Sequence, residues 1–125
     1  IVKVFIKEVN MKLWKWQKGR QKGTDYMKFP LWYFRISKLG FDAYILKYEA
    51  NTHLKLHKDQ VVGGKHWRLN IGYGNSQFHI CDYPKSKCGF KIGKFSLYLF
   101  RSDLYLHGLT TYSKTYKLSF GLVKF

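Results

Sequence analysis

The sequence predicts an all-β domain of jelly-roll, double-stranded β-helix type preceded by an N-terminal extension, and three observations carry that expectation. From Phe41 onward, short apolar and aromatic runs recur, each bounded by Gly, Asn or Pro. Hydrophobic residues make up 46% of the 125 and aromatic residues 19%, enough for one packed core and too much for a disordered chain. Only two prolines occur and the glycines are scattered, so no linker or repeat divides the chain. The expected organisation is a single domain over 1–125, with 41–125 forming the β core and 1–40 packing on it.

The extension "NMKLWKWQKGRQKGTDYMKFPLWYF" mixes aromatic and basic residues without clean alternation, and a short helix is expected around "PLWYFRISKLG". In "DAYILKYE", Tyr44, Leu46 and Tyr48 fall on one face of a strand and Ala43, Ile45 and Lys47 on the other. "HLKLHKD" follows a turn at Asn51. Next come "HWRLNIGY", "QFHIC", "GFKI", "KFSLYLF", "LYLHGLTT" and "YKLSFGLVKF", with turns at Gly63-Gly64, Gly74-Asn75 and Pro84-Lys85. About eight strands result, the number that closes a jelly roll.

Charge narrows the partners. A formal net charge of +16, from 23 basic and 7 acidic residues, suits a polyanion such as nucleic acid, although a lysine-rich codon bias would produce the same balance. In "KLWKWQKGRQ", interleaved aromatic and basic residues suit a substrate lid over bases and phosphates, or a packing segment with a solvated basic face; the second is favoured. Cys81 and Cys88 are too few for a disulfide scaffold and read as free thiols in a reducing compartment. No apolar run reaches the length of a membrane span, and "IVKVFI" is too short for a signal peptide, so a cytoplasmic location is expected.

The chemistry centres on His57-Lys58-Asp59. On a strand, side chains two apart share a face, so an imidazole and a carboxylate could reach one metal ion together. A third ligand must come from another strand. His107 is best placed, because in a jelly roll of this order the penultimate strand lies beside the second. Arg101-Ser102-Asp103 reads as a turn orienting His107, and His53, His66 and His79 as surface histidines or outer partners of the ligands.

With "YILKYEANTHLKLHKD", "GGKHWRLNI", "LYLFRSDLYLHGLT" and "YKLSFG", the last two-thirds of the chain resembles the 2-oxoglutarate/Fe(II)-dependent dioxygenases, specifically small bacterial and phage members with a cupin-like core. The resemblance implies Fe(II) held by His57, Asp59 and His107, with 2-oxoglutarate as cosubstrate and O2 as oxidant. It implies that Lys117 takes the place of the family's usual arginine for the distal carboxylate, with Ser119 facing the same way and Tyr48 as a further contact. Leu46 stands where relatives carry an asparagine. Arg68, Asn70 and Arg20 are candidates to line the pocket. The implied activity is hydroxylation of an unidentified substrate, in the cytoplasm, or the host cytoplasm for a phage protein. The alternative is a non-catalytic jelly-roll module that binds nucleic acid or another polyanion. An intact triad separates the two, because a pure binding module has no need of three ligands.

Overall fold

The structure, a computed structural model, describes residues 13–19, 26–59 and 64–125. Strands β1 (Gln17–Lys18), β2 (Tyr26–Ile36), β3 (Leu39–Tyr48), β4 (His53–His57), β5 (Lys65–Tyr73) and β6 (Ser76–Ile80) precede one helical turn, α1 (Lys85–Cys88). After it come β7 (Gly89–Ile92), β8 (Phe95–Arg101), β9 (His107–Thr111) and β10 (Thr115–Lys124). Antiparallel pairing builds a seven-stranded sheet, β1-β2-β3-β10-β5-β8-β7, and a three-stranded sheet, β4-β9-β6. This is the all-β jelly roll that the strand pattern predicts. Among the described residues, no helix is long and apolar enough to cross a membrane.

The region expected to hold a short helix, "PLWYFRISKLG", instead forms most of β2 and its turn into β3. Two local features hide the strand. Between Pro30 and Trp32 the register with β3 shifts by one residue, so the period-2 alternation breaks midway. The two-residue turn contains no Gly, Asn or Pro; Ser37 takes the left-handed conformation, at φ 55°. The one helical turn among the described residues lies within "CDYPKSKC".

Between the sheets, Tyr26, Leu46 and Tyr48 pack on Leu54 and Leu109, while Phe78 packs with Cys88, Tyr98 and Phe100. The inner face of the larger sheet is unusually polar. Lys117, Ser119 and Gly121 of β10 lie between Leu46, Tyr44 and Asp42 of β3 and Gly72, Asn70 and Arg68 of β5. Its outer face is the apolar one, where Phe41, Trp67, Leu69, Leu99, Phe120 and Leu122 line an open groove of about 490 Å³.

The interior polarity rests on one buried ion pair. Arg68 Nη1 donates to Asp42 Oδ1 at 2.5 Å and Nη2 to Oδ2 at 3.3 Å, with both side chains almost wholly buried. Gly121 makes the room, since a Cβ there would lie 2.4 Å from Asp42 Oδ1 and 2.7 Å from Arg68 Nη1. Gly121→Ala should therefore destabilise the protein by about 1–3 kcal/mol, as overpacking does in a tight interior. Urea unfolding measures it; an unchanged midpoint would show that the pair shifts aside freely.

Candidate metal centre

His57 ends β4, His107 begins β9, and the two are paired across the smaller sheet. A bulge brings them together. Leu54 pairs with Leu109, but His57 rather than Leu56 pairs with His107, so β4 carries one extra residue and its inside-outside parity flips. Leu56 consequently turns to solvent and His57 is half-buried. Gly108 admits this bulge: a Cβ there would meet Leu54 O at 2.5 Å. Asp59 follows the strand, its backbone N–H donating to Ser102 O at 2.9 Å.

One ligand atom from each of His57, Asp59 and His107 lies within 4.8 Å of the others. Asp59 Oδ1 is 3.7 Å from His57 Nε2 and 3.8 Å from His107 Nε2. The far side of each ring fixes its tautomer: His57 Nδ1 bonds Lys55 O at 2.8 Å and His107 Nδ1 bonds Tyr105 O at 3.0 Å. A carbonyl only accepts, so each Nδ1 carries a hydrogen, and in the neutral ring it is Nε2 that presents a lone pair on the side of the Asp59 carboxylate. A metal at the usual ~2.1 Å from each donor needs them about 3.0–3.4 Å apart, so the three side chains must draw in from separations of 3.7 and 3.8 Å, and at most 4.8 Å, to hold one. Two imidazole nitrogens and one carboxylate oxygen fit a divalent metal of the Fe(II) type.

The electrostatics suit that use. Burial lowers the His107 imidazole to about 4, leaving it neutral at pH 7. Burial alone would raise the Asp59 carboxyl, but the Arg68 guanidinium, foremost among its neighbours, holds it below its ordinary range. Phe100 closes one side, its ring 4.8 Å from that of His107.

The other expected residues divide. Lys117 is buried, with its ammonium 5.9 Å from the Tyr48 ring and 5.7 Å from the Phe78 ring, and burial lowers it to about 8. No carboxylate pairs with it among the described residues. Tyr48 stacks on Tyr26 at 5.1 Å between centroids and belongs to the core while lying beside Lys117. Ser119 donates to Asn70 Oδ1 at 2.6 Å. Arg68 and Asn70 sit in this interior network rather than at an open mouth, because Asp42 draws Arg68 inward. Arg20 and Gly63 lie outside the described residues. Trp14 and Trp16 lie against Phe29, with Lys47 over Trp16, so the described part of this stretch packs on β2 while both indoles stay partly exposed. Cys81 and Cys88 are free thiols.

Asp42 is the residue that sequence reasoning missed, while His66, expected as a surface histidine or an outer partner of the ligands, is buried beside Asp59. His66, Arg68 and Asn70 alternate along one face of β5, so the pattern that singled out the last two extends to the first. The 101–103 turn is structural as expected, but it serves Asp59 and His66: Asp103 clamps Arg101 with two 2.8 Å bonds and accepts from His66 N at 3.0 Å.

No protein-family profile and no curated protein matches this chain. Among solved structures, it is similar to the Schizosaccharomyces pombe Cnp3 cupin domain, with a TM-score of 0.58 and 10% identity over 89% of this chain and 69% of that one. It is similar also to KdgF from Halomonas sp., with a TM-score of 0.56 and 10% identity over 89% and 86%. At such identity the likeness defines the fold alone: a cupin-type jelly roll, here with a His-His-Asp cluster between its sheets.

Proposed function

We propose that this protein is a non-haem Fe(II)- and 2-oxoglutarate-dependent dioxygenase that hydroxylates a second substrate. The observation that carries the reading is the convergence of His57 Nε2, His107 Nε2 and Asp59 Oδ1, with the buried Lys117, with which no carboxylate among the described residues pairs, in the same interior. Bound there, iron and 2-oxoglutarate would supply the oxidising chemistry, consuming O2 and releasing succinate and carbon dioxide. The chain's own residues then have defined tasks. His57, His107 and Asp59 hold the metal through three atoms and leave its other positions open. Lys117 offers its charge to the distal carboxylate, though without the planar fork of an arginine. Tyr48 and Phe78 keep water from that ion pair.

Succinate release in the presence of Fe(II), 2-oxoglutarate and oxygen tests the reading, with calorimetry of 2-oxoglutarate in Mn(II) under nitrogen beside it. We expect metal-dependent cosubstrate binding and slow succinate release that a true substrate accelerates. Failure of 2-oxoglutarate to bind the metal-loaded protein would overturn the reading. The net charge of +16 makes oligonucleotides the first substrates to try, with amino acids and peptides at matched ionic strength. An enzyme acting on a base needs it unpaired, so single strands should stimulate more than duplex. Salt-sensitive oligonucleotide binding indifferent to metal would favour a polyanion-binding module instead.

A further inference from the structure

The metal-facing carboxylate has a neighbour on its other side. His66 Nε2 lies 2.9 Å from Arg68 Nη2, and a guanidinium only donates, so this imidazole nitrogen must accept. The proton therefore sits on Nδ1, which bonds Ser102 Oγ at 3.0 Å and stands 3.6 Å from Asp59 Oδ2. That last distance is too long for a hydrogen bond but places the positive end of the N–H dipole beside Oδ2. Arg68 cannot turn away to let His66 flip, because Asp42 holds its guanidinium through both nitrogens. Ser102, wholly buried, completes the frame: its N–H donates to His66 O at 3.0 Å and its carbonyl accepts from Asp59 N at 2.9 Å.

The two oxygens of Asp59 thus meet opposite surroundings. Oδ1 faces the lone pairs of His57 and His107, where a cation would be drawn, and Oδ2 faces an N–H, which repels one. Resting on the metal-centre reading, we propose that His66 is a positioning residue: held in its Nδ1–H form by Arg68 and Asp42, it restricts Asp59 to one metal-bound oxygen, Oδ1. A carboxylate bound through both oxygens would fill a position that a chelating cosubstrate needs. On this inference the polar interior of the larger sheet governs how many metal positions stay open.

The tautomer can be read on the wild-type protein by long-range proton–nitrogen correlation of its histidine rings. We expect His66 protonated on Nδ1 and bare on Nε2; a proton on Nε2 would overturn the inference, whatever the variants do. His66→Leu should bind Co(II) about 10–100-fold more weakly, the usual cost of losing an outer partner of a metal ligand. Its Co(II) absorption and carboxylate stretching bands should also change as Asp59 gains freedom to bind through both oxygens. His66→Asn, whose side-chain N–H can stand in for Nδ1–H, should recover affinity and bands to within a few fold. Unchanged Co(II) affinity and bands in His66→Leu, or a loss that His66→Asn does not recover, would reduce His66 to a packing residue. Wild-type protein that binds no Co(II) at all would sink the metal-centre reading itself, a result distinct from either.

Discussion

His57→Ala, Asp59→Ala and His107→Ala should each abolish stoichiometric metal binding while leaving a folded β protein. Each removes one of three donor atoms, so the affinity loss should exceed the roughly 10–100-fold that follows removal of an outer partner. The fold should survive because none of the three belongs to the apolar clusters; Leu54, Leu109, Phe78 and Phe100 build the core around them. Two backbone carbonyls, of Lys55 and Tyr105, lose an N–H in the histidine variants, but each lies beside the pocket, where water can replace it. Protonation of His107 should not keep metal out near neutral pH. His107 is held near 4 by burial, so it is neutral and available from about pH 5 upward, and its protonation expels metal only below that. Metal analysis with circular dichroism on the three variants decides the matter. Full metal content in any one of them removes that residue from the triad.

Much of this architecture was legible because apolar periodicity and turn chemistry agree from Phe41 onward, and the pairing of the His57 strand with the His107 strand follows from strand order alone. What stayed hidden has physical causes. The bulge in β2 spoils the alternation on which a strand is recognised, and Ser37 turns the chain without a turn residue's signature. The bulge in β4 is equally invisible: His57 faces inward because of the extra residue beside Gly108, not because of the spacing that drew notice to it. Arg68 looked like a pocket residue because nothing in a sequence marks Asp42, 26 positions away, as its buried partner. Buried charges pair across strands, and a one-dimensional pattern shows only one member of each pair.

Lys117→Met should weaken 2-oxoglutarate binding by about 2–5 kcal/mol, roughly 30- to 4,000-fold, the range for truncating one partner of a buried charge pair. The dependence on pH is the sharper test. Burial favours the neutral amine and lowers Lys117 to about 8, so the ligand-free site carries its charge below that pH and loses it above. The bound carboxylate favours the ammonium, and binding above pH 8 must therefore take up a proton. Cosubstrate affinity should be flat from about pH 6.5 to 7.5, then fall toward tenfold per unit as pH rises beyond 8. Lys117→Arg, where the pocket admits it, should remove the alkaline fall, because a guanidinium stays charged throughout this range. Lys117→Met should be weak at every pH and show no such break. Calorimetry with Mn(II) under nitrogen across this range measures all three proteins. A wild type whose affinity ignores pH up to 9, or a Lys117→Met protein that binds as the wild type does, would mean that another cation receives the distal carboxylate.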